Sequence, residues 1–173
     1  MRWIYSVPVL LLALAACREE QVEAPEPAAM TEEALSHFCQ MNVAEHAGPK
    51  GQIHLKGLPA PIFFAQVRDL VAYLKSPERD ADITAIYVSD MGAALNWHEV
   101  GSDNWIAAES AQFVIEAGVA GGMGAPEIVP FGTTEAAQDF VRRYGGRIVA
   151  LDAIPDAAAL APVDLDTPLE DPA

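Results

Sequence analysis

The feature that most restricts the fold of this chain is an order of apolar segments that occurs twice. In the first half, residues 52–55 and 61–64 are two short apolar segments, the first of them alternating with polar residues. Residues 65–75 then carry apolar side chains at helical spacing, and the β-branched segment 83–88 follows. Alternation and β-branching predict strands, whereas recurrence every three to four residues predicts a helix. The first half therefore predicts the order strand–strand–helix–strand.

The second half predicts the same order. Residues 112–115 and 128–131 are again short apolar segments. A helix is expected after a cap in the pair Thr133-Thr134, and Gly145-Gly146 is typical of its end. The segment 147–151 closes the unit as a strand. Because four elements match in order, we interpret the chain as an α+β protein of two similar small lobes, with chance similarity as the alternative.

The composition outside these segments divides the chain further. Residues 1–16 are expected to be a signal peptide, and residues 17–35, rich in Glu, Ala and Pro, a lipidated flexible tether. The first lobe is expected at 36–95 and the second at 96–156. Residues 157–173 are rich in Ala, Pro and Asp and are expected to form a disordered acidic tail.

The N-terminus has the layout of an export signal. Arg2 provides the positive start, residues 7–16 are almost wholly apolar, and two alanines precede Cys17. This run is too short for a membrane-spanning helix, which needs roughly 20 apolar residues. The ending before Cys17 resembles a bacterial lipobox, which implies acylation of that cysteine and a membrane anchor facing the periplasm. Arg18 resembles sorting signals that permit outer-membrane delivery. The alternative to a lipoprotein signal is an ordinary signal peptide that is cleaved nearby.

Charge and cysteine count restrict the chemistry. The formal net charge is −15, which disfavours nucleic-acid binding because phosphate recognition needs a basic face. The chain has two cysteines, Cys17 and Cys39. If Cys17 is acylated, Cys39 is the only thiol in a compartment that usually pairs thiols. Cys39 is then either a buried inert residue or part of a functional site.

Sulfur side chains favour the second interpretation of Cys39. Met41 is two residues further along, so both side chains would point to one side of an extended segment. Met123 lies between glycines, where the backbone can approach a site closely and core packing explains a methionine poorly. Soft sulfur ligands select Cu(I) over harder ions. We therefore predict a metal site of Cys39, Met41 and Met123, with core packing as the alternative for each methionine.

Met91 and His54 are weaker candidate ligands. Met91 follows a predicted strand and precedes Gly92, and packing explains it at least as well. His54 lies in an alternating segment and is therefore either a site residue or exposed to solvent. His46, beside Glu45, is interpreted as a loop residue, with a role at a second metal left open.

Signatures of catalysis are absent from the sequence. It contains no C-x-x-C, no G-x-S-x-G, no P-loop and no G-x-G-x-x-G pattern. A nucleophilic pair of Cys39 with His37 or His54 would lack an identifiable third, orienting group. We therefore expect a binding protein and not an enzyme.

Several longer segments carry a further signal. They read HFCQMNVAEHAGPKGQIHLKG, PIFFAQVRDLVAYLKSPE, ITAIYVSDMGAA, DNWIAAESAQFVI and GGMGAPEIVPF. Together they resemble the NosL family, lipoprotein copper chaperones linked to the maturation of nitrous oxide reductase. The resemblance extends from about residue 36 to residue 155.

The resemblance implies two homologous strand–strand–helix–strand lobes and one Cu(I) held by Cys39, Met41 and Met123. It further implies two partners, apo nitrous oxide reductase during assembly of its copper–sulfide centre and an associated membrane transporter complex. Many relatives carry C-x-x-C-G-M, where this chain has Ser36 and Gln40 in place of the first cysteine and the glycine.

This departure from the family pattern excludes a dithiol site. Whether a histidine completes the ligand set, or a second metal such as Zn(II) binds, stays open. The alternative function is a membrane-tethered acidic adaptor module without metal binding. A thiol enzyme is the third alternative.

Overall fold

The computed structural model describes residues 24–78, 81–164 and 166–172. The predicted signal peptide and Cys17 lie outside the described residues. None of the helices within these ranges has the length and apolarity that crossing a bilayer requires.

The first sheet is antiparallel and has four strands. They are β1 (Gly51–Leu55), β2 (Ile62–Phe64), β3 (Ile83–Ser89) and β4 (Trp105–Ala107), in the order β2-β1-β3-β4. Helix α1 (Val67–Lys75) connects β2 to β3. It buries one face because its apolar residues recur at helical spacing.

The second sheet repeats this arrangement with three strands. They are β5 (Gln112–Ile115), β6 (Val129–Phe131) and β7 (Arg147–Val149), in the order β6-β5-β7. Helix α2 (Thr134–Tyr144) connects β6 to β7, and the Thr133 side chain caps it by accepting from the backbone N–H of Ala136 at 3.2 Å. The predicted order strand–strand–helix–strand is therefore confirmed in both halves.

One apolar core joins the two sheets. Its buried members come from β1 and α1 of the first half and from β5 and the segment before β6 of the second. Fully or almost fully buried examples are Ile53, Leu70, Phe113, Ile115 and Ile128. A second, smaller cluster around Trp97, Val129 and Phe140 fills the space between α2 and the second sheet.

The boundary between the halves differs from the predicted division at 95/96. Strand β4, at Trp105–Ala107, lies in the predicted second lobe but pairs with β3 of the first, with Val88 opposite Ile106. The backbone groups at the edge of β3 need hydrogen-bond partners, and the segment that connects the two halves supplies them through β4.

The described part of the predicted tether, residues 24–35, packs on the first sheet. Ala28 exchanges two hydrogen bonds with the side chain of Gln52, at 2.8 and 2.9 Å. The Tyr87 hydroxyl donates to the carbonyl of Pro25 at 2.7 Å. The side chains of Gln52 in β1 and Tyr87 in β3 thus bind residues 24–35, although the composition of these residues predicted a flexible tether.

The predicted disordered tail is also ordered in its described parts. Helix α3 (Asp156–Leu160) packs against α1, and Asp156 pairs with Lys75 at 2.7 Å. Further on, the N–H of Glu170 donates to the carbonyl of Gly118 at 2.7 Å. The prediction of disorder from residue 157 onward is therefore wrong for these residues, because the backbone finds hydrogen-bond partners that composition does not show.

Candidate metal centre

Cys39 and Met41 lie in a tight turn. Leu35 and Asn42 pair across its base, the N–H of Ser36 donates to the carbonyl of Met41 at 2.9 Å, and the N–H of Gln40 donates to the carbonyl of Ser36 at 2.9 Å. We call residues 36–41 the Cys39 turn. The extended segment that the two-residue spacing predicted is therefore wrong, and the turn places the two sulfur residues near its tip.

The Cys39 turn is fixed to the edge of the first sheet. The N–H of His37 donates to the carbonyl of Phe63 in β2 at 2.7 Å. Ser36 is completely buried, and its hydroxyl accepts from the backbone N–H of Ala65 at 3.2 Å. At the position where many relatives have a cysteine, this chain thus has a hydroxyl that anchors the turn.

All three predicted sulfur ligands reach the surface. Cys39 is a free, half-buried thiol. Met41 and Met123 each expose 41% of their surface, so neither side chain is enclosed in the core. Core packing, the alternative for both methionines, therefore does not explain them.

Met123 lies in a four-residue glycine-rich loop, residues 121–124, which we call the Met123 loop. Its ends are joined by a hydrogen bond from the N–H of Gly124 to the carbonyl of Gly121 at 2.8 Å. The N–H of Met123 donates to Oε1 of Gln66 at 3.1 Å. A Cβ atom on Gly122 would lie 2.6 Å from Cβ of His46, so only glycine permits this approach.

The structure brings the Cys39 turn and the Met123 loop to the same short segment. Ala65 holds the turn through Ser36, and the next residue, Gln66, holds the loop through Met123. His46, five residues after Met41, contacts the loop as well, with Nδ1 3.3 Å from the carbonyl of Gly122. The Cys39 turn and the Met123 loop, far apart in sequence, are thus held by two adjacent residues.

The weaker candidate Met91 has other surroundings. It packs against the cluster that contains Trp97 and Phe140, and its N–H donates to the carbonyl of Pro130 at 3.0 Å. These contacts support the packing interpretation of Met91.

The weaker candidate His54 is held by its own strand. The Gln52 amide is oriented by Ala28, so its Oε1 can only accept, and Nε2 of His54 donates to it at 3.0 Å. The ring packs edge-on against Tyr87, and burial lowers the pKa of His54. Nε2 is thus engaged in a hydrogen bond and is not available as a metal ligand in this arrangement.

Two residues near the site, Gln66 and Glu127, escaped the sequence interpretation, whereas His46 was interpreted as a loop residue and contacts the Met123 loop. Nε2 of His46 is buried without a hydrogen-bond partner among the described residues. Glu127 is 2% exposed, and its Oε1 accepts from the N–H of Arg68 and of Ile128, both at 2.9 Å. In the sequence, the consecutive glycines Gly121-Gly122 are the signal that could have predicted a close approach of other side chains to this loop.

Hard ligands do not gather elsewhere. Within residues 24–78, 81–164 and 166–172, no three side chains of His, Cys, Asp or Glu converge in a way that could hold a metal. The soft sulfur donors Cys39, Met41 and Met123 have the ligand chemistry that fits Cu(I).

The described residues thus form a small two-lobed α+β protein that presents the Cys39 thiol and the Met41 and Met123 thioethers at its surface. The family model described as NosL matches residues 27–159. The chain belongs to the NosL family, which confirms the resemblance found in the sequence.

Relatives and solved structures agree with this assignment. The chain is 50% identical over 159 residues to the copper-binding lipoprotein NosL of Achromobacter cycloclastes, covering 91% of this chain and 82% of that protein. It is 28% identical over 152 residues to the copper-binding lipoprotein NosL of Stutzerimonas stutzeri, covering 86% and 77%. The crystal structure of the copper chaperone NosL from Shewanella denitrificans superposes with a TM-score of 0.71 at 31% identity, covering 77% of this chain and 98% of that one.

Proposed function

We propose that this chain is a copper chaperone that binds one Cu(I) through the thiolate of Cys39 and the thioethers of Met41 and Met123. The observation that carries the proposal is that Ala65 and Gln66, adjacent in the chain, hold the Cys39 turn and the Met123 loop. The relatives named copper-binding lipoproteins and a copper chaperone support the choice of metal.

The exposure of the ligands suits transfer more than storage. Three soft donors leave a Cu(I) ion with room for an incoming ligand, and both thioethers lie at the surface. A receiving protein can then add its own ligand and displace the thioethers one at a time. This ligand exchange needs no redox step and no turnover of a substrate.

The proposed recipient is apo nitrous oxide reductase during assembly of its copper–sulfide centre, with an associated membrane transporter complex as a further partner. The family resemblance supports both partners. We further propose that Cys17 is acylated and anchors the chain to a membrane on its periplasmic side. The lipoprotein names of the relatives support the anchor.

A second metal such as Zn(II) would use the unpartnered Nε2 of His46 first. This nitrogen lies next to the Met123 loop, because the other ring nitrogen faces the carbonyl of Gly122. Substitution of His46 by Asn, followed by metal analysis after dialysis, distinguishes this role from simple loop support.

Competition with a chromogenic chelator tests the copper site on protein comprising residues 18–173. We expect the parent protein to take up about one Cu(I), Cys39→Ala to abolish tight uptake, and Met41→Leu and Met123→Leu to weaken it. The matched control is Met91→Leu, which removes a thioether from a packing position and should leave uptake unchanged.

Unchanged affinity in Cys39→Ala would contradict the proposal. It would favour the acidic adaptor alternative, which requires no sulfur ligand.

A further inference from the structure

The Met123 loop rests on two buried side chains that come from outside it. Gln66, directly before α1, is 3% exposed, and Glu127, directly before the second buried segment of the second half, is 2% exposed. We propose that Gln66 and Glu127 are positioning residues, which hold the Met123 thioether where it can share a metal with Cys39 and Met41. This inference rests on the proposed copper site.

Gln66 has one orientation in the structure. Its Nε2 donates to Oδ2 of Asp69 at 3.4 Å, which leaves Oε1 to accept from the N–H of Met123 at 3.1 Å. The bond holds the backbone of the ligand residue itself. Since Ala65 is tied to Ser36 of the Cys39 turn, displacement of Gln66 changes the position of the loop relative to the turn.

Glu127 lies beside Gln66 against Gly121 of the loop. Oε1 is fixed by the two backbone N–H groups of Arg68 and Ile128, and Oε2 has no hydrogen-bond partner among the described residues. A Cβ atom on Gly121 would clash with this Oε2 and would lie 2.6 Å from Oε1 of Gln66. The two side chains thus form a surface on which only a glycine fits.

The burial of the Glu127 carboxyl group against the loop is not explained by its contribution to stability. A buried carboxyl oxygen without a hydrogen bond among the described residues is unfavourable and calls for an explanation, which a role in supporting the loop would supply. Met123 lies on a glycine-rich loop, and without supports it would lose considerable conformational freedom when it binds a metal. Supports that fix the loop beforehand reduce this cost and so raise the affinity.

The first test measures Cu(I) affinity by chelator competition on the full-length chain purified in detergent. Gln66→Leu removes the hydrogen bond to Met123, and we expect affinity to fall by about 10- to 100-fold, as is typical when a residue that orients a metal ligand is lost. The matched control is Gln52→Leu, which also removes a fully buried glutamine, one bonded to Ala28 and His54. Its affinity should be unchanged.

A double-mutant cycle separates positioning from general destabilisation. If Gln66 acts through Met123, the double variant Gln66→Leu/Met123→Leu should lose no more affinity than Met123→Leu alone. X-ray absorption at the copper edge should show one fewer sulfur neighbour in Gln66→Leu and an unchanged count in Gln52→Leu.

A second variant keeps the inference testable if Gln66→Leu does not fold. Gly121→Ala adds a Cβ that clashes with Glu127 and Gln66 and pushes the loop off them, and it should lower affinity to the same extent. Its matched control is Gly118→Ala, where the added Cβ meets no atom within 4 Å and the backbone needs no positive φ.

The outcomes distinguish the two proposals. Weakened, non-additive binding in Gln66→Leu or Gly121→Ala supports the positioning role. Wild-type affinity in these variants, or losses that add to that of Met123→Leu, overturns it while Cys39→Ala still defines the site. Unchanged affinity in Cys39→Ala overturns the copper site and the positioning role together.

Discussion

At Gln40 the backbone adopts a φ of +57°, a conformation in which glycine is the least strained residue. The Cys39 turn needs this conformation directly after the thiol, at the position where the C-x-x-C-G-M pattern has glycine. In this chain the Gln40 side chain compensates, because its Nε2 donates to the carbonyls of Ser36 and His37 at 3.2 and 2.8 Å. A residue that departs from the family pattern thus preserves the shape of the turn.

Substitutions at Gln40 test this compensation. Gln40→Ala keeps the backbone strain and loses both side-chain bonds, so we expect it to lower the free energy of unfolding by about 1–2 kcal/mol. Gln40→Gly also loses the bonds but relieves the strain, so it should stay within about 1 kcal/mol of the parent. Urea denaturation of the three proteins gives the comparison, and a Gly variant less stable than the Ala variant would contradict it.

Helix α1 begins without a local cap. Gln66, at the cap position, makes no capping bond with its side chain, and the N–H of Arg68 is instead satisfied by Glu127 from the second half. Lys50, 2% exposed, donates to the carbonyls of Ala47 and Gly48 and interacts electrostatically with Glu127. One element of the first half is therefore completed by a carboxyl group of the second.

This buried pair predicts a particular dependence of stability on pH. Burial raises the pKa of Glu127 from 4.5 to about 8, so between these values the folded chain binds a proton that the unfolded chain has lost. Stability should therefore fall as pH rises through this range, by at most about 1.4 kcal/mol per pH unit. Burial lowers the pKa of Lys50 from 10.5 to about 8, so stability should rise again above pH 8.

Urea midpoints at pH 5, 8 and 10 test the minimum near pH 8. In Glu127→Gln the fall between pH 5 and 8 should be smaller than in the parent, because the substituted side chain does not ionise. An equal fall in both proteins would show that other groups cause it.

The two halves share one core, so the whole molecule should unfold as a unit. Phe113 of β5 is completely buried in the same cluster as Ile53 of β1. Phe113→Ala should therefore lower the free energy of unfolding by about 3–5 kcal/mol and accelerate amide hydrogen exchange in β1 as well as in β5.

Leu95→Ala serves as the control for this prediction. Leu95 is 79% exposed, and its truncation should change stability by no more than about 0.5 kcal/mol. Two separate unfolding transitions, or an effect of Phe113→Ala confined to β5, would show that the halves are independent.

The sequence by itself determined the order of strands and helices in both halves, because the period of apolar residues is a local property of each segment. It also identified Cys39, Met41 and Met123 as candidate ligands from their chemistry and their glycine neighbours. The tertiary structure alone decided that Trp105–Ala107 joins the first sheet, that segments 24–35 and 156–160 pack on the fold, and that Glu127 caps α1. Periodicity records which side of a segment faces the core but not which distant residue it meets. The partners of backbone groups at helix starts, sheet edges and loops are therefore settled only when the whole chain packs.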